Sequence, residues 1–351
     1  MTPWHQRLLE RGAGFDGTAV TGFGDARDEL VAARDAAVVC DLQPLASLRV
    51  AGSDAEEFLQ GQVTSDVSEL GSGASQYSAW CTPKGRVLAN FLLRRVDPET
   101  FEILLPAPLL APIRKRLGMF ILRSKVALDD SSERTVRIGV GGPAAAKLIE
   151  ATAGAVPPVL HAVNLDGGAL VHVLGDRFVA IVPPEGADQL WDRLAAGARP
   201  VGFPSWKWLT LRAGVPVILP ATQDQFIPQA LNWDAIGGVS FQKGCYTGQE
   251  IVARTQYLGR RKERTVLAHA ESTHVRPGAR LFSASFGEQP CGTVLNAASA
   301  PDGGTDFLAV AQISAVDSAD LRLAATGGEK VSLVPLPYEL PAAAAPRGRL
   351  T

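Results

Sequence analysis

The residues with the most chemistry per position run Phe241-Gln242-Lys243-Gly244-Cys245-Tyr246-Thr247-Gly248-Gln249-Glu250. Thr247 and Glu250 have the spacing of a capping box, in which the Thr247 hydroxyl accepts from the Glu250 amide and the Glu250 carboxylate reaches back. A helix is therefore predicted through Ile251-Val252-Ala253-Arg254. Cys245 would lie just ahead of that helix, where unpaired amides and the positive end of the dipole favour a thiolate; Lys243 nearby adds a cation. Such an arrangement makes an activated thiol, with Cys245 and Lys243 as the reactive pair. Gly244 and Gly248 carry no Cβ, so the backbone can turn tightly and another group can approach it. The competing reading is a small buried cysteine in an ordinary strand-to-helix turn.

Upstream, Phe226-Ile227-Pro228-Gln229, then Asn232, then Gly238-Val239-Ser240-Phe241 lead into KGCYTGQE and Val252-Ala253-Arg254. Together these resemble the signature of the YgfZ-type folate-binding proteins, relatives of the aminomethyltransferase (T-protein) of glycine cleavage. Gln60-Gly61-Gln62-Val63-Thr64-Ser65-Asp66-Val67 and Cys81-Thr82-Pro83-Lys84-Gly85-Arg86 are similar to the same family. The resemblance implies a tetrahydrofolate-binding fold, for the cofactor or a one-carbon derivative of it, used in assembling or repairing iron–sulfur proteins that include tRNA-modifying enzymes. It implies folate contacts from Trp206 and Arg212, and adds Tyr246, Gln249, Glu250 and Arg254 of the motif as candidate cofactor-binding residues. Expected partners are folate and iron–sulfur client or assembly proteins.

One departure bears on the reaction. In the aminomethyltransferases, the strand after the turn at 81–86 brings in acidic residues, one of them the catalytic carboxylate; here those positions read Leu88-Ala89-Asn90. Neither alanine nor asparagine handles a proton as a carboxylate does, which counts against glycine-cleavage transfer. The alternative function, a folate-dependent aminomethyltransferase or demethylase acting on a small amine, lacks its expected acid.

A length of 351 residues suggests two or three domains, and 46% hydrophobic with 20% charged residues is the balance of a globular chain. The start lacks the apolar core of a secretory signal, and no apolar run is long enough to span a bilayer, so a cytoplasmic protein is expected. Cys40, Cys81, Cys245 and Cys291 lie far apart, which encodes neither a disulfide framework nor a local zinc site. A resident iron–sulfur cluster would need about four thiolates, so any cluster served is expected to be bound elsewhere. A net charge of −2 argues against general nucleic-acid or membrane binding, and a monomer is expected.

The elements that must position the motif are as follows. Leu45 to Val50 reads as a strand, and Ser53-Asp54-Ala55-Glu56 as a second capping box opening a short helix. A hairpin is predicted between Ser75–Trp80 and Arg86–Val96, a helix over Leu109–Leu117, and strands over Phe120–Leu128 and Thr135–Val140. Gly139-Val140-Gly141-Gly142-Pro143-Ala144 matches a dinucleotide fingerprint, but Pro143 and the missing βαβ unit favour a plain helix start. A second hairpin spans Gly175-Asp176, and a helix follows over Ala187–Ala196. Pro204 to Gly214 reads as a helix on which Trp206 and Trp208 cannot share a face, leaving one for the core and one for a planar ligand. Arg254, Arg260, Arg261, Lys262 and Arg264 form either a solvated linker face or a hold for the glutamate tail of folate.

The expected architecture is α+β: a T-protein-like three-domain ring of two antiparallel α+β subdomains and a C-terminal β-barrel. The expected units are residues 1–130, residues 131–260 with the KGCYTGQE motif, the first two possibly interleaved, residues 261–340, and a flexible tail at 341–351.

Overall fold

The protein is described by a computed structural model covering residues 2–165, 167–257 and 261–341. The tail expected at 341–351 lies, from residue 342 onward, outside the described residues, as does Arg260.

Three sheets organise the chain. The first has five antiparallel strands in the order Ser75–Cys81, Val87–Asp97, Thr100–Pro106, Leu45–Ala51, Ala127–Asp130. Its leading pair is the predicted hairpin, with Tyr77 opposite Leu92 and Ala79 opposite Asn90. The second has six strands, Ala162–Leu165, Gly168–Val173, Arg177–Val182, Val136–Gly141, Val38–Asp41 and Arg199–Val201, all antiparallel except that the last two run parallel. Val38–Asp41 enters this sheet before the first sheet begins in sequence, so the two α+β parts interleave. The third is a six-stranded antiparallel sheet from residues 263–334 with its own core around Phe307, Leu281 and Val294.

Alternation along the strands explains why the second sheet can be covered on both faces. In Arg177–Val182, Phe178, Ala180 and Val182 point into a core shared with helices Pro3–Glu10, Ala145–Ala153 and Pro184–Ala195, while Val179 and Ile181 join the core of the first sheet. The segment is fully buried, and a strand with two covered faces must be apolar on both. The helix Pro3–Glu10 is tied in by Trp4, whose indole donates to the buried Asp41 carboxylate at 2.7 Å.

Several local expectations need correction. Phe120–Leu128 is not a strand: Phe120–Val126 forms turns and only Ala127–Asp130 pairs, because Leu122 and its neighbours face solvent with no partner strand. The Ser53–Glu56 capping box does not form; Asp54 accepts instead from the Lys125 amide at 2.7 Å, joining two loops. Gly142 has a structural reason: a Cβ there would lie 2.0 Å from the Ala36 carbonyl, and its strand is antiparallel to both neighbours, so no phosphate-binding βαβ unit exists around it.

Candidate functional site

The Phe203–Arg212 helix carries Trp206 and Trp208, and both are buried. Trp206 lies against the second sheet, where Gly139 leaves room for it: a Cβ there would sit 2.7 Å from the indole. Trp208 points the other way and donates to Asp306 of the third sheet at 2.9 Å. The helix stops at Gly214, whose φ of +67° belongs to the left-handed region and whose carbonyl accepts from the Tyr338 hydroxyl at 2.7 Å.

A cavity of about 660 Å³ opens where the three sheets meet this helix. Its wall takes Tyr77, Asn90 and Leu92 from the first sheet, Val173 and Arg177 from the second, Trp206 and Thr210 from the helix, Trp233 from the connecting segment, and Asn296 from the third sheet. The size falls within the ~300–1,000 Å³ of small-molecule sites, and the wall is mostly apolar. Two asparagines hold its floor. Asn90 donates to the Pro216 carbonyl at 2.7 Å and accepts from the Ile218 amide at 2.8 Å, while Asn296 makes the same pair of bonds to Val217. Asn90, one of the three residues Leu88-Ala89-Asn90 that stand where the transferases carry acidic groups, is thus a buried structural clamp.

Arg177 is the polar feature that sequence reasoning missed. Its guanidinium is buried, lies 5.4 Å from the Trp206 ring centre, and donates to the Leu174 carbonyl and the Thr210 hydroxyl. Burial holds its pKa below the usual arginine value, with the neighbouring Tyr77 hydroxyl opposing that shift. Its Nη2 and the Trp233 indole nitrogen are buried donors without a partner, and both residues line the cavity. The only sequence signal for Arg177 was an arginine opening an otherwise apolar strand.

The cysteine motif is built onto the far end of the same hairpin. Gly248 has φ +86°, and a Cβ there would meet the Thr82 carbonyl at 2.4 Å; a Cβ on Gly85 would lie 3.0 Å from Ile251. The motif helix, Gln249–Tyr257, therefore seats its N-terminus on the Thr82–Gly85 turn. The predicted helix is present, but it opens at Gln249 and no hydrogen bond joins the Thr247 hydroxyl to Glu250, so the capping box is corrected to a glycine-turn start. Gln229 donates to the Val252 carbonyl at 2.7 Å and Asn232, itself at φ +55°, donates to Thr265, which stitches the motif helix to the third sheet.

Within the motif the side chains diverge. Cys245 is exposed. Lys243 is buried: its ammonium donates to the carbonyls of Val63 at 2.8 Å and Ser65 at 2.7 Å, so it is a docking group and not a cation free to serve the thiol. Burial pushes its pKa down to about 8, countered by Asp66. Tyr246 is buried beneath that ammonium, 5.2 Å from it, and burial raises its phenol pKa. Gln249 donates to the Lys243 carbonyl at 3.4 Å, and Glu250 and Arg254 are exposed on the motif helix.

Of the residues singled out from sequence, the structure puts Trp206 on the cavity wall and Tyr246, Gln249, Glu250 and Arg254 off it. Arg212 is also off the wall: it lies 5.9 Å from the Trp208 ring and 3.7 Å from Asp306, partly in solvent. Arg261 and Arg264 are buried against Asp234 at 3.2 and 2.8 Å, so that part of the expected basic face is an internal ion-pair cluster. The hairpin links the two regions, since Tyr77 on the cavity and Thr82 under the motif are separated by roughly 16 Å of strand.

The interleaved sheets and central cavity define a glycine cleavage T-protein-like fold. An aminomethyltransferase T of the glycine cleavage system from Bartonella henselae superposes with a TM-score of 0.75 over 95% of this chain and 96% of that one, at 17% identity, a likeness of fold. Residues 9–159 match the GCVT N-terminal domain family. A tRNA-modifying protein YgfZ from Escherichia coli O127:H6 is 30% identical over 319 residues, 90% of this chain and 97% of its own length. Another from Serratia proteamaculans is 32% identical over 305 residues, 85% of this chain and 92% of its own. The chain belongs to the YgfZ family. No helix among the described residues is long and apolar enough to cross a membrane.

Proposed function

We propose that this protein binds a reduced folate in the central cavity and acts as an accessory factor in tRNA modification, supporting the assembly or repair of iron–sulfur enzymes through Cys245. The observation that carries the reading is the cavity itself, about 660 Å³ and mostly apolar, with the Trp206 and Trp233 rings and the Arg177 guanidinium among the groups that wall it. A heteroaromatic ring suits such a wall, which offers it aromatic faces to pack against. Folate fits those residues, and when bound it would supply a one-carbon carrier or a redox-active ring. The names of the two relatives support the tRNA-modification part of the reading.

Cys245 stands outside the cavity, exposed, at the end of the same hairpin. It is therefore reachable by a partner protein while folate occupies the interior, which supports a role toward a client as transient metal ligand, redox thiol or nucleophile. The transferase alternative is disfavoured by Asn90, whose amide is held by Pro216 and Ile218 and does not ionise near neutral pH as a carboxyl group would.

Anaerobic calorimetry with tetrahydrofolate, paired with tryptophan fluorescence, tests the pocket. Binding with quenching that diminishes in Trp206→Phe is expected. Failure of every reduced folate to bind removes the assignment.

A further inference from the structure

The helix Ala107–Gly118 and the turns that follow it carry Arg114, Lys115, Arg116, Arg123 and Lys125 but no Asp or Glu over residues 107–126. The helix buries its apolar face in the core of the first sheet, and all five cations are exposed. None of them forms an ion pair among the described residues, in a protein whose net charge is −2. Between the two basic groups stands an apolar tip, with Met119 64% exposed, Phe120 39% and Leu122 90%. Leu122 also holds φ at +46°, a left-handed conformation that strains a leucine and that glycine would adopt freely. Folding gains nothing from a strained leucine in water, which directs attention to contacts outside the chain.

The tip adjoins the cysteine loop. Phe120 packs edge-on against Trp80 with ring centres 5.9 Å apart, and Arg116 lies 5.8 Å from the same indole. Trp80 Nε1 donates to Gln62 at 3.3 Å, and the Val63 and Ser65 carbonyls of that segment receive the Lys243 ammonium. The apolar tip and the loop that exposes Cys245 thus border one short segment, Gln62–Ser65. An open depression beside the tip is walled by Asp54 and residues 120–124, and the Asp54 carboxylate there accepts from the Lys125 amide and the Ser53 hydroxyl.

We propose that the tip Met119–Leu122, with its flanking cations, is the docking surface for an acidic partner protein bearing apolar anchor side chains, seated within reach of Cys245. An apolar centre inside a charged rim is the anatomy of a protein interface, and five unpaired cations complement an acidic surface. Nucleic-acid bases are held by exposed aromatic faces, whereas the most exposed groups here are Met119 and Leu122 and the Phe120 ring already abuts Trp80. An anionic bilayer would bring its headgroups against the Asp54 carboxylate beside the tip. The docking stands apart from the folate reading; only the step in which Cys245 then acts on the partner rests on the proposed function.

The probe is a labelled amphipathic peptide with glutamates on one face and Leu and Phe at i, i+3, i+4 and i+7 on the other, read by fluorescence anisotropy. Its controls replace the apolar residues by Ser or the glutamates by Lys. The wild-type protein should bind the probe about tenfold more tightly than either control, and salt should weaken that binding. Leu122→Gly should lose about tenfold in affinity while its urea midpoint stays level or rises, because glycine accepts the backbone that leucine strains. Arg123→Gln/Lys125→Gln should flatten the salt dependence. In cells lacking the wild-type protein, Leu122→Gly should fail to restore the client enzymes although its folate binding and Cys245 alkylation are intact. No preference for the probe over its controls, or full binding and restoration by Leu122→Gly, overturns the proposal. So does tighter binding of single-stranded RNA or phosphatidylglycerol vesicles that depends on the same residues. Loss of the probe in Leu122→Gly together with full restoration by Cys245→Ala would uphold the docking surface and remove the thiol's role.

Discussion

The Lys243 ammonium donates to the Val63 carbonyl at 2.8 Å, across 180 residues of sequence, and so pins the cysteine loop to the segment that follows the helix Ala55–Gln60. A lysine two positions from an exposed cysteine thus serves to hold the loop that presents it. Cys245 projects from a backbone anchored on one side by Lys243 and on the other by the close contact of Gly248 with Thr82.

The anchor has a pH signature. Burial lowers the Lys243 pKa from 10.5 to about 8, so between those values the unfolded chain binds the proton more tightly than the folded one. The residue's contribution to stability should rise with pH across that window and be constant below it. Urea denaturation of wild type and Lys243→Met from pH 7 to 10.5 reads the difference; a difference that stays flat contradicts the assignment.

Cys245 is exposed, whereas Cys40, Cys81 and Cys291 are buried and burial raises each of their thiol pKa values. Alkylation near neutral pH should therefore mark Cys245 first, as peptide mass mapping would report. Cys245→Ala should shift stability by no more than about 0.5 kcal/mol and leave folate affinity unchanged, since the side chain fills no cavity. In cells lacking the wild-type protein, the variant should fail to restore the iron–sulfur client enzymes. Full restoration at matched expression would make the motif structural.

Gly139→Ala tests how closely the second sheet and the tryptophan helix are fitted. The new methyl would lie 2.7 Å from the Trp206 ring and 3.0 Å from Leu42, with buried neighbours on both sides. Overpacking should cost about 1–3 kcal/mol and, by displacing Trp206, reduce ligand-induced quenching. Unaltered urea midpoint and quenching would show that the helix shifts freely.

Asn90→Asp puts a carboxylate into the stretch Leu88-Ala89-Asn90, yet it also puts an oxygen where an amide donates to the Pro216 carbonyl. The expected result is a loss of about 1–3 kcal/mol in stability with no gain of activity. Neither form should release ammonia from an aminomethylated lipoyl carrier at an ordinary enzyme rate, about 1 per second. Such turnover by wild type would favour the transferase reading.

What could be read from the sequence was local or carried by an uninterrupted motif. The hairpin around Thr82–Gly85, the motif helix through Arg254, the stop at Gly214 and the β-rich C-terminal part each depend on residues near one another in the chain, where periodicity and glycine placement act directly. The family signature belongs to the same class, since its glycines and its Asn232 serve contacts that cannot be made by other side chains without strain. The direction of Lys243, the engaged amide of Asn90 and the burial of Arg261 and Arg264 against Asp234 depend on partners supplied by other segments, and a residue type does not announce its partner. The cavity shows this most fully. Tyr77, Arg177, Trp206, Trp233 and Asn296 come from five stretches that share no pattern, and they meet only because apolar faces of three sheets must be covered at once. Burial then gathers the Arg177 guanidinium and the Trp206 and Trp233 rings around one cavity, and that arrangement, the strongest pointer to a ligand, exists only in the folded chain.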